Sequence, residues 1–386
     1  MCRFSDPGVT TATRDLEDIV DQQWGVAGID PHKHNFTIGV VDGCGARRDL
    51  AAFDMTKDGF AEVLVWFDEL GLEIGRVGVE GSNGLGRQLS LFLTSAGFDV
   101  REVQSNRTAE RRRRRRRQKT DREDAEAIAR ETLAHDDLPP AGKQHRPDPV
   151  WDELVAVRNH RTSLVRQRVR LLNEAEGVLC GLPLAIRAAL PATSRVRPRL
   201  KALVAGAAAA IETCAADQVH LAWLTESASD ITELDSRIRA IDKQIPALLA
   251  RLGSTLADEV GIAAVSAMDL LVEIGDPSRF CTEGQFARWC GAAPIAASSG
   301  EGRGDPTHHR LDLAGNRQVN SVLHTMHVTQ IRCHEPAKEF VARKRTEGKT
   351  SREARRAHKR QLANRVIRRM WDDHHRRRRS DMSSAA

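Results

Sequence analysis

The sequence predicts an α/β domain with a mixed β-sheet, then a helical coiled-coil region and a small, mainly α-helical C-terminal domain. Three observations point to this architecture. Short apolar runs alternate with helical periodicities over residues 25–134, apolar residues recur at heptad spacing over 221–252, and short helices with Gly/Ser-rich loops follow residue 253. With 386 residues, of which 40% are hydrophobic, the chain is long enough to form two or three domains with buried cores.

The order of the elements defines the first domain. Over residues 57–70, apolar residues recur at i, i+3, i+4, i+7 and i+10, which is the spacing of one helix face. The whole pattern reads βββαβαβα, which suits a mixed sheet with a closing helix and is the order of the RNase H-like fold. The predicted strands are 25–30, 36–41, 48–54, 76–80 and 98–103, and the predicted helices are 57–70, 84–96 and 121–134.

The middle of the chain is predicted to be helical. A basic helix is expected over 151–177, and the heptad residues of 221–252 indicate a coiled coil, within the chain or between subunits. A plain helical hairpin fits the same spacing, and Pro246 is expected to kink the last turns. We predict these boundaries: leader 1–22, RNase H-like domain 23–136, helical region 150–252 with an insert at 179–218, C-terminal domain 253–335, and a basic helix and tail over 336–386.

Four acidic residues suggest the chemistry. Asp30 and Glu80 each end a predicted strand, and Asp121 and Asp124 lie three apart at the start of a predicted helix. Residues three apart share one helix face, so the four carboxylates can converge on one site. Carboxylates are the ligands that Mg²⁺ prefers, and paired metal ions are the usual device of phosphodiester chemistry. The residues therefore predict a metal site, with Mg²⁺ or Mn²⁺ as the cofactor.

Two basic segments suggest a polyphosphate partner. Residues 101–119 contain ten Arg or Lys and two Glu, and residues 343–379 contain sixteen Arg or Lys and four acidic residues. The overall charge is only +6, so the rest of the chain is acidic. Such asymmetry is typical of proteins that bind nucleic acid, whereas a pair of solvated tails is the simpler alternative.

Several classes of protein are excluded. The chain has no tyrosine, which rules out enzymes that need a tyrosine nucleophile, and no P-loop motif is present. Its seven cysteines form no Cys-x-x-Cys, and His32, His34, His308 and His309 lack Cys or Glu partners, so we predict no zinc site. No secretion signal or membrane span is expected, and the predicted location is the cytoplasm, in association with the nucleoid.

The motifs resemble those of the DEDD transposases of bacterial insertion sequences, of the IS110 type. The resemblance covers roughly residues 24–335. Its most specific element is Lys-Thr-Asp-x-x-Asp-Ala, which here spans residues 119–125. The other matching segments are Asp30-Pro31-His32-Lys33, Glu80-Gly81-Ser82, Arg279-Phe280, Gln285-Phe286-Ala287, Gly291-Ala292-Ala293-Pro294, Ser298-Ser299-Gly300 and Ala314-Gly315-Asn316-Arg317.

The resemblance implies a DNA transposase or recombinase. The family joins an RNase H-like domain through a coiled coil to a domain with a serine nucleophile, and some members are guided by a structured bridge RNA. It implies that Asp30, Glu80, Asp121 and Asp124 bind the metal and that Ser299 is the nucleophile, with Ser298 as the second choice. The implied partners are donor and target DNA, and a guide RNA. A homo-oligomer, a dimer or tetramer, is expected because recombination exchanges two duplexes.

Basic residues near these motifs are the candidate phosphate contacts. For the three arginines after the serine pair, solvated loop charges are an equally good interpretation. The candidates are Arg111, Arg112, Arg113, Arg114, Arg115, Arg116, Arg117, Lys119, Arg303, Arg310 and Arg317. One departure from the family is Gly261-Ile262-Ala263, where Gly-x-Gly is usual. An alanine with positive φ is costly, so a turn of different shape is expected there.

Two other functions remain open from the sequence. One is an RNase H-like nuclease or junction resolvase, in which the acids activate water and the serines are structural. The other is a non-catalytic nucleic-acid-binding protein from a decayed element, whose mark would be the loss of an acidic residue. A phosphoserine–DNA adduct would separate the recombinase from the nuclease.

Overall fold

A computed structural model describes residues 24–103, 121–136, 138–143, 148–293, 295–296, 309–310 and 315–384. The chain divides into two compact units, Met1–Pro147 and Asp148–Ala386. Each unit has its own apolar core and is treated separately below. Within the described residues, no helix combines the length and the apolar character that crossing a membrane requires.

The first unit contains a five-stranded mixed sheet in the order β3-β2-β1-β4-β5. Strand β1 pairs antiparallel with β2 and parallel with β4; β2–β3 is antiparallel and β4–β5 is parallel. The predicted element order and the mixed sheet are confirmed for the described residues. The elements are β1 (Trp24–Pro31), β2 (Asn35–Asp42), β3 (Arg47–Asp54), α1 (Lys57–Glu69), β4 (Glu73–Glu80), α2 (Arg87–Ser95), β5 (Val100–Val103) and α3 (Asp121–Ala134).

Alternation along β1 decides which side chains meet which helix. Ala27 and Ile29 lie in the core that includes apolar residues of α1 and α2. Val26, on the opposite face of the strand, packs against Ala129 of α3. Because successive side chains of a strand point to opposite faces, Asp30 lies on the α3 face with Val26. The same alternation along β4 puts Val77 and Val79 in the first core and Glu80 on the α3 face.

Three paired glycines bring α3 against the backbone of the sheet. Gly28 of β1 pairs with Gly39 of β2 on one side and with Gly78 of β4 on the other. A Cβ atom on Gly28 would lie 2.0 Å from the backbone nitrogen of Ala129, and one on Gly78 would lie 1.8 Å from Oγ1 of Thr132. We call Gly28, Gly39 and Gly78 the glycine row. Their missing side chains let the helix approach closer than any other residue would allow.

The described residues of the second unit are in helices and their connections, apart from one short strand pair. Its elements are α4 (Pro149–Gly181), α5 (Leu184–Ala189), α6 (Val196–Val204), α7 (Ala215–Asp242), α8 (Ile245–Arg251), α9 (Ala264–Ile274), α10 (Glu283–Trp289), β6 (Ile295–Ala296), β7 (His309–Arg310), α11 (Arg317–Cys333), α12 (Glu335–Thr346) and α13 (Ser351–Ser384). The predicted insert, 179–218, contains α5 and α6 between less regular stretches.

The heptad residues of α7 and α8 pack against other helices of the same chain. Leu234, Ile238 and Ile241 form a cluster with Leu164 of α4, and every residue of the predicted heptad is buried. Helix α7 ends at Asp242, and Pro246 lies in the first turn of the next helix, α8. The proline thus coincides with a break between two helices. The two long helices therefore pack on each other, while a supercoil and an intersubunit coiled coil stay predictions.

The basic C-terminal segment is partly a core helix. Leu362, Val366 and Met370 of α13 are buried in a cluster with residues of α9, α10 and α11, as the sequence pattern predicts for that face. Arg369 of α13 forms an ion pair with Glu259 at 3.1 Å.

The departure from the family at Ala263 causes no strain, since Ala263 has φ −88° and precedes α9, while Gly261 takes the positive φ of +89°. The costly left-handed alanine is therefore avoided.

We expect the glycine row to be sensitive to a single methyl group. Gly28→Ala should lower the free energy of unfolding by about 1–3 kcal/mol or more, because the new Cβ meets helix backbone that cannot move aside alone. Gly75→Ala, on β4 with its nearest neighbouring atom 4.0 Å away, is the matched control. Urea unfolding followed by circular dichroism gives both values; equal stabilities would contradict the close contact.

Candidate metal centre and serine loop

The candidate site lies where β1 ends. Asp30 is the second-to-last residue of β1, and the turn that follows it is closed by a hydrogen bond from the backbone N of His32 to the carbonyl of Asn35, 2.8 Å. Asp121 and Asp124 occupy the first turn of α3. Residues 125, 128, 129 and 132 of that helix face the sheet, so the helix period carries positions 121 and 124 toward the same face.

Three side chains meet at this position. Nε2 of His32 lies 3.4 Å from Oδ2 of Asp30 and 3.4 Å from Oδ1 of Asp121. One possible ligand atom from each residue lies within 4.8 Å of the others. The Nε2 atom is shielded from solvent, yet it makes no hydrogen bond within the described part of the chain. Two carboxylates and one imidazole thus point at a common volume.

The other three predicted acids all influence Asp30. The pKa of Asp30 is raised to about 6, with burial as the largest cause. His32 counteracts this rise, and the negative charges of Asp124, Glu80 and Asp121 contribute to it. Like charges that repel at this range are stabilised by a cation among them, which is the usual role of a divalent metal ion.

The donor atoms fit a divalent cation. Asp30 is about one-sixth exposed and Asp121 is mostly exposed, so an ion can reach them from solvent. Carboxylate oxygens suit Mg²⁺ and Mn²⁺, and an imidazole nitrogen favours the softer Mn²⁺ over Mg²⁺. Asp30, His32 and Asp121 could hold such an ion, with Glu80 and Asp124 nearby.

His32 is the site residue that the sequence alone does not reveal. The zinc-site criterion excludes it, because no Cys or Glu partner accompanies it. The sequence feature that could have indicated His32 is its position two residues after Asp30, in the turn that directly follows β1. Its partners are aspartates from elements that are distant in sequence.

The chain leaves β4 after Glu80 through a fixed turn. Gly81 has φ +70°, a left-handed conformation that suits glycine. Ser82 is fully buried, and its Oγ accepts a hydrogen bond from the backbone N of Gly142 at 2.8 Å. In the Glu-x-Ser motif, the serine therefore fastens the turn beside Glu80 to the segment after α3.

The serine pair falls in the segment between β6 and β7, which we call the serine loop. Ser298, Ser299 and Arg303 fall outside the described residues, as do Arg111 to Arg117 and Lys119. Ile295 and Ala296 pair antiparallel with Arg310 and His309, so the serines belong to the connection between β6 and β7. Only the backbone of Arg310 is described, while Arg317 lies at the start of α11.

The chain segments before β6 and after β7 contact each other. A Cβ atom on Gly315 would lie 2.3 Å from the backbone N of Gly291, so the two chain segments touch. Asn320 donates from Nδ2 to the carbonyl oxygens of Cys290, 2.9 Å, and Gly291, 3.2 Å. We call this contact region, residues 290–293 with 315–320, the loop base.

Asn316 ties the loop base to α9 and α4. Its Oδ1 accepts from the backbone N of Val319 at 3.0 Å and caps α11, while its Nδ2 donates to Oε2 of Glu273 at 3.2 Å. Glu273 also pairs with Arg158 of α4 at 2.7 Å. Helices α4, α9 and α11 therefore hold the loop base, which lies just outside the strand pair that encloses the serine loop.

Two transposase family models match this chain. The family model for IS110-type DEDD transposases matches residues 27–182, and that for the transposase IS116/IS110/IS902 family matches residues 254–342. Together these ranges cover more than half of the chain. The first contains all four acids and the second contains the serine pair.

Two insertion-element proteins of Streptomyces are similar in sequence. An uncharacterized 44.8 kDa protein of IS116 from Streptomyces clavuligerus is 26% identical over 268 residues, which is 60% of this chain and 65% of the relative. An uncharacterized 43.6 kDa protein of IS110 from Streptomyces coelicolor is 30% identical over 130 residues, 33% of this chain and 31% of the relative. The chain thus aligns with less than two thirds of each relative's length.

We expect His32 to contribute a nitrogen ligand to a bound metal ion. His32→Asn should weaken Mn²⁺ binding by roughly tenfold or more in titration calorimetry and remove nitrogen coupling from the Mn²⁺ spin-echo spectrum. His34→Asn, in the same turn and exposed, is the matched control and should change neither. Nitrogen coupling that persists in the His32 variant would contradict this assignment.

Proposed function

The chain belongs to the IS116/IS110/IS902 family of transposases, and on this premise we propose that it recombines DNA by metal-assisted exchange of strands through a serine nucleophile. The observation that carries the proposal is the convergence of Asp30, His32 and Asp121, with Glu80 and Asp124 close enough to act on Asp30. A carboxylate cluster of this kind on an α/β sheet is suited to phosphodiester chemistry.

The acidic residues would hold Mg²⁺ or Mn²⁺. Such an ion supplies charge that polarises the scissile phosphate and stabilises the leaving 3′ oxygen. The carboxylates of Asp30 and Asp121 offer oxygen ligands from the strand end and the helix start, and His32 offers a nitrogen between them. The glycine row keeps the strand and the helix at a fixed separation, so the ligands from both elements are preorganised.

Ser299 would attack the phosphorus atom, with Ser298 as the second choice. The bond from Oγ to phosphorus forms as the bond from phosphorus to the 3′ oxygen breaks; the hydroxyl proton leaves Oγ, and the released 3′ oxygen takes up one proton. The phosphoserine conserves the energy of the phosphodiester, so rejoining needs no ATP. The loop base supports this role, because it fixes both ends of the loop on helices.

Donor and target DNA are the proposed substrates, and a structured guide RNA of the element is a proposed partner. Arginines of the first basic segment and Arg303, Arg310 and Arg317 remain proposed phosphate contacts. A homo-oligomer, a dimer or tetramer, also remains proposed. The heptad residues are buried within the chain, and an intersubunit coiled coil stays part of this proposal.

Asp121→Asn tests the metal centre. We expect this change to reduce strand exchange by roughly 100-fold or more, because one ligand loses its charge, while nucleic-acid affinity stays nearly unchanged. The control is Glu62→Gln, an exposed acid on α1 away from the site. Recombination is scored on paired plasmid substrates by product sequencing, and full activity of the Asp121 variant would refute the metal assignment.

Ser299→Ala tests the nucleophile. This variant should bind DNA normally and lose cleavage, because no other hydroxyl takes over, whereas Ser298→Ala should be milder. Suicide substrates trap the covalent intermediate, and mass spectrometry locates it. An adduct on Ser298 would move the assignment by one residue. Cleavage without any adduct would favour a nuclease that activates water, and binding without cleavage in the wild type would favour a non-catalytic protein.

A further inference from the structure

An open cleft of about 490 Å³ lies on the surface of the helical region, between α4, α6 and α7. It is remote in sequence from the acids, the serine loop and both basic segments. Apolar side chains of Val169, Leu172 and Ile238 contribute to its walls. The charged groups that line it are Arg161, Arg168, Arg197, Arg239, Asp235 and Asp242.

Three of the arginines are anchored by the two aspartates. Nε of Arg161 lies 2.6 Å from Oδ1 of Asp242, and Nη1 of Arg168 lies 2.8 Å from Oδ1 of Asp235. Arg197 of α6 reaches the same Asp235, with Nη2 at 3.1 Å from Oδ1. Burial alone would raise the pKa of Asp235, but the hydrogen bonds from Arg197 and Arg168 outweigh it and leave that pKa below its usual range.

These ion pairs do not neutralise the cleft. Four guanidinium groups face two carboxylates, which leaves an excess of two positive charges. Arg239 is exposed on α7, and among the described residues it forms neither an ion pair nor a side-chain hydrogen bond. Nε of Arg168 is shielded from solvent without a hydrogen bond in that same part of the chain.

An ion cluster that merely fastens α6 to the long helices explains Asp235 and its two arginines. It does not explain Arg239, which lines the same cleft and forms no ion pair with Asp235 or Asp242 within the described residues. Converging guanidinium groups with surplus charge in an open cleft match an anion with several oxygen atoms. Arginine recognises phosphate in particular, because its planar fork donates two parallel hydrogen bonds.

We propose that this cleft binds the phosphodiester backbone of a nucleic acid, as a contact site of the helical region separate from the catalytic residues. The proposal deepens the function above and rests on it for the identity of the anion. Arg161, Arg168 and Arg197 are held ready by their aspartates, and Arg239 supplies the charge that is free to pair with phosphate. DNA and RNA offer the same backbone chemistry, so the two sources are separated by experiment.

Arg239→Gln in the full-length protein tests the cleft. Fluorescence anisotropy is measured with a labelled DNA duplex and with a single-stranded RNA of equal length, over a series of salt concentrations and without divalent metal. The slope of log affinity against log salt should fall by about 0.9 on duplex DNA or about 0.7 on the single strand for each phosphate that the variant no longer neutralises. Arg239→Lys keeps the charge and should restore most of the slope.

Arg237→Gln is the matched control. It removes another exposed arginine from α7, two residues away and outside the cleft, where it is 3.9 Å from Glu233. A slope change on DNA alone, on RNA alone or on both supports the cleft and identifies its ligand. Unchanged slopes on both, or an equal change in the Arg237 variant, overturn it. These binding measurements need neither metal nor serine, so the cleft can fail while strand exchange stands; a wild type that binds neither probe contradicts both.

Discussion

The close contact between α3 and the sheet is the constraint on which the first unit depends. Helices usually pack on sheets through side chains, but here Gly28, Gly39 and Gly78 leave the backbone of three neighbouring strands bare. The helix fills that space with Ala125, Ala129 and Thr132. Because neither partner has flexible side chains at the contact, the start of α3 has a fixed position relative to the end of β1. Asp30 and Asp121 therefore both lie close to His32.

The contact between α3 and the sheet has an unfavourable electrostatic consequence, because it brings several carboxylates together in a partly buried site. The pKa of Asp30 is raised to about 6 by burial and by Asp124, Glu80 and Asp121, which means that its charged form is disfavoured there. Groups held in this way are stabilised when a cation joins them, and such clusters are typical of functional sites. His32 offsets part of the repulsion from a position between two aspartates, where it can also serve as a ligand.

The parts of the fold that the sequence predicted are those encoded by local patterns. Strand and helix periodicity depends on residues a few positions apart, so the element order and the strand-end position of Asp30 followed from it. Contacts between distant segments did not follow. His32 meets Asp121 only because the glycine row docks α3, and the burial of Ile238 depends on where α4 lies. The three glycines did carry a signal, because glycine in the middle of a strand often marks close backbone approach.

The function proposed for the second unit requires an accurately placed serine as well as positive charge. A serine is a weak nucleophile, so its use requires accurate placement more than intrinsic reactivity. Hydrogen bonds from Asn316 and Asn320 hold the loop base, and Glu273 links it to Arg158 of α4, which supports the proposed placement of the serine. Lys359 of α13 adds a hydrogen bond from Nζ to the carbonyl of Asn320 at 3.1 Å, and burial lowers the pKa of this lysine. The basic C-terminal helix thus contacts the loop base, so at least one of its basic residues has a structural contact in addition to its charge.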